Sequence, residues 1–162
     1  MEILQHSLKN KDLASLTAFQ LKVWNILAKL LSNLMFENLA KDSKVEMGGI
    51  GIDVFLRLKT CNFVLYMSIQ KDNLVLNSEY FDIYVYPETG IGKVEHLLGQ
   101  VLLGKYSIKL GYGRKGKLVK KELAFNDNDL GEFNESQNIG FLTKKIENEQ
   151  IVEGVKLIVD KR

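Results

Sequence analysis

Between about residues 12 and 41 the apolar residues Leu16, Phe19, Val23, Ile26, Leu27, Leu30, Leu31 and Leu34 recur at helical spacing, while Lys22, Asn25, Lys29, Ser32 and Asn33 fall opposite them. The pattern predicts one long amphipathic helix. Asp12 or Ser15 would cap its first turn, and Lys41 would complement the negative end of its dipole. At about 1.5 Å per residue such a helix reaches roughly 40 Å, enough to lie across a sheet.

The period then changes to two. Ile50, Ile52, Val54, Leu56 and Leu58 alternate with Gly51, Asp53, Phe55, Arg57 and Lys59, and Cys61, Phe63, Leu65, Met67 and Ile69 repeat the alternation. Lys71-Asp72-Asn73 supplies a turn, and a further run ends in Phe81, Ile83 and Val85. Gly48, Gly49 and Gly51 mark a bulge or bend. These segments predict an antiparallel meander over about 45–86. A short helix over about 92–103 follows, carried by Val94, Leu97, Leu98, Val101 and Leu102 and closed by Gly104. A second meander is expected over about 105–160. Its hairpin runs from Tyr106 to Phe125 around Gly113-Arg114-Lys115-Gly116, and its closing strand covers Ile151 to Val159. Asn126 to Asn138 reads as a polar, acidic loop, and Ile139 to Ile146 fits helix and strand equally. The fold class is therefore α+β, a long N-terminal helix packed on antiparallel meanders with a short helix between the two sheet segments.

With 162 residues, 46% of them hydrophobic, and a single proline, the chain has the size and composition of one globular domain spanning 1–162. Twenty-two basic against twenty acidic residues leave a net charge of +2, which lacks the strong basic excess of a dedicated DNA binder. Charge placement then matters more than charge total. Cys61 is the only cysteine, so no intrachain disulfide can form, and with His6 and His96 alone to help it no structural zinc site can be assembled. The N-terminus has no signal-peptide pattern and no run of about 18 apolar residues could span a bilayer, so a cytoplasmic chain without membrane contact is expected.

Motif by motif, catalysis finds little support. Pro87-Glu88-Thr89-Gly90-Ile91-Gly92-Lys93 has the strand, turn and helix order of a phosphate loop, but proline replaces the first glycine and Val94 the magnesium-binding hydroxyl. Gly111 to Gly116 spells G-x-G-x-x-G, yet it joins two strands instead of opening a helix. Asp127-Asn128-Asp129-Leu130-Gly131-Glu132 places glycine one position early for a calcium loop. Asp53 has no acid-x-Lys partner on the next strand to hold a metal, because that strand offers Ser68-Ile69-Gln70-Lys71. Cys61 falls on the apolar face of its strand as a buried thiol, and His96 reads as a partly exposed polar residue. No catalytic residue, metal or cofactor is expected. A binding protein comes first and an unrecognised enzyme last.

Two surfaces could serve binding. The back of the first meander would gather Phe55, Arg57, Lys59, Tyr66, Tyr80, Tyr84 and Tyr86, rings interleaved with positive charge that could stack bases. The second is a charge block. Lys105, Lys109, Arg114, Lys115, Lys117, Lys120 and Lys121 follow one another without an acid, and then Glu122, Asp127, Asp129, Glu132 and Glu135 without a base. A basic hairpin suits a phosphate backbone, whereas an acidic loop suits a basic protein.

The whole-chain character, a small α+β protein rich in lysine, asparagine and isoleucine, resembles the immunity proteins of bacterial polymorphic toxins, including those of contact-dependent growth inhibition systems. The resemblance implies a non-enzymatic cytoplasmic protein that neutralises a cognate toxin, commonly a nuclease, by tight protein–protein binding. Asp127, Asp129, Glu132 and Glu135 would form that contact. The order of strands, helix and strands after Ser43 is similar to the Whirly single-strand-binding fold, and Lys115-Gly116-Lys117-Leu118 resembles the start of its K-G-K-A-A-L motif before Val119 and Lys120 depart from it. This implies the alternative function, single-stranded nucleic-acid binding through Arg57, Lys59, Tyr66, Tyr84, Arg114, Lys115 and Lys117.

Overall fold

The computed structural model describes residues 8–140 and 144–160; His6 and part of the ambiguous segment 139–146 lie outside the described residues. Helices and antiparallel sheets combine in an α+β architecture. The chain gathers into two compact units, one made of the chain up to Gly99 together with Leu157 onward, the other running from Gln100 to Lys156.

The first unit opens with two short helices, α1 (Asn10–Ala14) and α2 (Ala18–Leu31), in place of the long one expected. A capping box divides them. Thr17 is extended, its hydroxyl accepts from Gln20 N at 3.2 Å, and its own N–H donates to Gln20 Oε1 at 2.9 Å. The Ser15 hydroxyl meanwhile closes α1 on the Asp12 carbonyl at 2.7 Å. At the far end the Ser32 hydroxyl bonds the Lys29 carbonyl, and the chain straightens so that Leu34 forms an antiparallel bridge with Ile158. Residues 32–41 thus leave the α-helical path: bridges at Leu34–Ile158 and Leu39–Leu58 flank a single 3-10 turn at Phe36–Asn38, pairing that an apolar period cannot reveal.

Five strands follow in sequential antiparallel order: β1 (Lys44–Met47), β2 (Gly51–Arg57), β3 (Val64–Gln70), β4 (Leu74–Ser78) and β5 (Asp82–Val85). The three glycines near position 50 form the β1–β2 hairpin turn, closed by Gly48 N–H on the Gly51 carbonyl at 2.7 Å. A second tight turn, Ser78 N–H to the Phe81 carbonyl at 2.9 Å, divides the third predicted run into β4 and β5. Val45, Ile52, Val54, Leu56, Leu65, Met67, Ile69, Leu74, Leu76, Ile83 and Val85 supply the buried side of the sheet. Helix α2 turns Val23, Leu27 and Leu31 inward. It is keyed to the sheet by buried Gln20, whose Nε2 donates to the Ile69 carbonyl at 3.2 Å. Gly51 makes the approach possible, because a β-carbon there would collide with that same carbonyl and come within 2.9 Å of Gln20 Nε2. Helix α3 (Ile91–Leu102) starts in this unit and buries Val94, Leu97 and Leu98. Among the described residues no helix is long and apolar enough to cross a membrane.

The second unit is a four-stranded antiparallel sheet of β6 (Tyr106–Tyr112), β7 (Leu118–Phe125), β8 (Glu135–Asn138) and β9 (Asn148–Glu153), ordered β8-β7-β6-β9. Tyr106, Ile108, Leu123 and Phe125 are buried, with Tyr106 and Phe125 edge to face at 6.1 Å. The closing strand begins three residues earlier than expected, because Asn148 pairs with Tyr112; Leu157 and Ile158 are instead buried in the first unit. The segment read as a loop is ordered as well. Leu130 and Phe133 anchor a 3-10 helix over Asn128–Phe133, Asp127 caps it, and the Asn134 side chain accepts from Phe125 N at 2.9 Å before β8 begins.

Gly51→Ala should destabilise the protein by about 1–3 kcal/mol, the usual cost of overfilling a packed site, whereas Gly49→Ala, with open space around the added methyl, should stay within about 0.5 kcal/mol of the parent in urea denaturation.

Candidate functional site

On β2 and β3 the sheet register sets Phe55 directly opposite Tyr66, and the neighbouring row runs Glu46, Asp53, Ser68, Val75 and Tyr84. Phe55, Tyr66 and Tyr84 therefore share a face, but carboxylates stand among them. The Tyr66 hydroxyl donates to Asp53 Oδ1 at 2.8 Å. Burial above all, opposed by Ser68 and aided by that hydrogen bond and the charges of Asp53 and Glu46, raises the Tyr66 phenol above its usual value. Arg57 ends β2 with its guanidinium clamped by Asp42, Nε to Oδ1 at 3.1 Å and Nη2 to Oδ2 at 2.8 Å. Lys59 lies beyond the strand and donates to the Glu37 carbonyl at 2.8 Å. Both cations are already engaged.

The turn after β2 also corrects the reading of Cys61. Leu58 N–H bonds the Phe63 carbonyl at 3.2 Å, so residues 59–62 form a loop with no sheet face, and the thiol is exposed in a depression of about 460 Å³ lined by Lys41, Lys59 and Thr60 among others. The Pro87–Thr89 turn borders a depression of about 260 Å³ lined by Phe19, Lys22, Gly90, Ile91 and Val94, mostly apolar with a single cation. Among the described residues no three His, Cys, Asp or Glu side chains gather as a metal ion would require.

The charge block divides according to register. Lys109 stands opposite Glu122 and lies 4.0 Å from it and 3.9 Å from Glu149, and Lys120 pairs with Glu122 at 2.9 Å. Lys105 and Lys121 also have partners. The hairpin tip differs. Arg114, Lys115 and Lys117 are exposed there, and the structure brings Lys144 and Lys145 beside them. Pairing of Asn148 with Tyr112, extended by Glu147 N–H on the Tyr112 carbonyl at 2.8 Å, delivers the segment before β9 to the same end of the sheet. Gly113 permits the approach, since a β-carbon there would press within 3.2 Å of the Lys145 carbonyl and 3.0 Å of Val119.

The result is a cleft of about 430 Å³ lined by Arg114, Lys115, Lys117, Val119, Lys144, Lys145 and Glu147. Five cations face a single carboxylate. Among the described residues none of the five is in an ion pair. Such a concavity concentrates positive potential and favours an anion with several negative oxygens. Sequence reasoning missed Lys144 and Lys145; the signal available was an adjacent lysine pair just ahead of a strand.

The acidic residues lie along one ordered segment. Asp127 accepts from Asp129 N at 2.8 Å, Asp129 and Glu132 are exposed on the 3-10 helix, and Glu135 begins β8 half-buried opposite Leu123. Asp127, Glu132 and Glu135 have partners within the chain.

Because the folded-state value of Tyr66 is raised, its stabilising contribution is complete below its unfolded value of about 10 and declines as pH climbs through the folded one. The stability difference between the parent and Tyr66→Phe should therefore shrink above about pH 10 in denaturant titrations. A difference that is constant with pH would contradict the assignment.

Comparison with protein-family models, curated proteins and solved structures finds no match for the chain.

Proposed function

We propose that the chain is a non-enzymatic binding protein that holds the phosphodiester backbone of a single-stranded nucleic acid in the cationic cleft of the second unit. The observation that carries this reading is the convergence of Arg114, Lys115, Lys117, Lys144 and Lys145 on one concavity. Cationic side chains that displace condensed counterions from a strand gain affinity in proportion to the number of phosphates neutralised. Arg114 can fork onto two phosphate oxygens, while the lysines act as point charges. Because the cations come from both the hairpin and the segment before β9, only an anion entering the cleft meets all of them.

A second reading is favoured by the ordered acidic segment. Asp129 and Glu132 are displayed on a 3-10 helix fixed by Leu130 and Phe133, which suits a basic protein surface such as that of a toxin nuclease, as an immunity protein would require.

A fluorescein-labelled thymidine oligomer of about 12 nucleotides, a length within the footprint of small single-strand-binding domains, provides the test by fluorescence anisotropy. Binding at about 50 mM salt should weaken with a logarithmic slope near −3, as expected for four or five phosphate contacts at about −0.7 each. The triple variant Arg114→Gln, Lys144→Gln, Lys145→Gln should bind at least about tenfold more weakly, with a slope shallower by about 2. Absence of binding, or an unchanged slope in the variant, overturns the proposal.

For the immunity reading, co-expression with a toxin encoded beside this chain should restore growth, and Asp129→Lys with Glu132→Lys should abolish the protection. No protection by the parent chain removes that reading.

A further inference from the structure

At the tip of the β6–β7 hairpin two successive residues are left-handed, Lys115 at φ 62° and ψ 27° and Gly116 at φ 67°. Gly116 is the ordinary occupant of such a place. Lys115 is not: among the described residues it is the only one other than glycine with positive φ. Its β-carbon crowds its own backbone there, and turns that need this conformation favour glycine, asparagine or aspartate. Lysine lacks the short polar side chain with which asparagine compensates.

Packing does not explain the choice. Lys115 is exposed, and among the described residues the turn is closed by backbone bonds, Gly116 N–H to the Gly113 carbonyl at 3.2 Å and Gly113 N–H to the Lys117 carbonyl at 2.8 Å. Any residue that tolerates the left-handed region would make the same turn more easily. The side chain instead lines the cleft beside Arg114, Lys117, Lys144 and Lys145. Unfavourable backbone geometry retained at a binding surface points to a use for the side chain that carries it.

We infer that Lys115 is held in the left-handed turn for its ammonium group, which contacts a phosphate of the strand in the cleft; this rests on the nucleic-acid reading above. Replacing the lysine with asparagine or glycine would relax the backbone and remove the charge, so fold and ligand respond in opposite directions.

The test compares Lys115→Asn, Lys115→Gly and Lys115→Arg by thermal melting and by anisotropy with the same thymidine oligomer. Lys115→Asn should melt at or above the parent and bind roughly three- to tenfold more weakly at about 50 mM salt, its salt slope shallower by about one contact. Lys115→Gly should lose affinity equally, and Lys115→Arg should keep it. Unchanged affinity in Lys115→Asn, with the parent binding, overturns this inference alone. Lower melting of both Lys115→Asn and Lys115→Gly also overturns it, since the lysine would then serve the fold. A parent chain that binds no oligomer removes the nucleic-acid reading and this inference with it.

Discussion

Strand β6 governs the second unit because it is paired on both sides. Tyr112 faces Leu118 of β7 across one ladder and Asn148 of β9 across the other. That double pairing forces two segments distant in sequence, 113–117 and 144–147, to leave the sheet at one end. Five cations then line the cleft with one carboxylate, Glu147, among them. In water a pair of unit charges even 4 Å apart repels by only about 1 kcal/mol, and salt reduces this further. The antiparallel ladders fix the backbone against that repulsion, and under the proposed function the strand's phosphates would relieve it.

Much of the fold can be read from the chain because burial imposes its period. The alternation from Ile52 to Leu56 and from Leu65 to Ile69 reappears as the buried rows of β2 and β3, and Val94 to Leu102 reappears as α3. The long helix fails for a reason equally present in the letters. Thr17 and Gln20 stand three apart, the spacing of a capping box, yet the apolar stripe stays in phase through Leu16 and Phe19 and masks the break. Residues 32–41 are less accessible to such reading, since their departure from the α-helix is tied to a bridge from Leu34 to Ile158, a contact across most of the chain length, and to a second from Leu39 to Leu58. Likewise the order in 126–138 depends on two anchors, Leu130 and Phe133, too few to create a period.

The candidate site divides along the same line between local and distant information. Arg114, Lys115 and Lys117 are neighbours in sequence and stay neighbours in space, so the basic hairpin is visible in the letters. Lys144 and Lys145 are not, because only the β6–β9 register brings them there. Charges can be counted along a chain but their neutralisation cannot. Arg57 is taken up by Asp42, Lys59 by the Glu37 carbonyl, and Lys109 and Lys120 by Glu122. Each of these outcomes depends on strand register or on where a loop closes. The tyrosines meet the complementary surprise: Tyr66 lies against Asp53, so the aromatic face carries negative charge where positive charge is expected.

The contrast between paired and unpaired cations bears on what the cleft is for. Along the middle of the second sheet, lysines and glutamates alternate across strands, Lys109 and Lys120 each answered by an acid. At the hairpin end the alternation stops, although glutamate at 144 or 145 would be as compatible with the exposed backbone as lysine is. An exposed ion pair contributes only about 0–1 kcal/mol, so leaving the tip cationic costs the fold little. For an anion the difference is larger, because several charges act on it together in a concavity. Folding is nearly indifferent to the composition of that end, whereas under the proposed function the binding of a strand is not, and this is the sense in which the proposal accounts for the cluster.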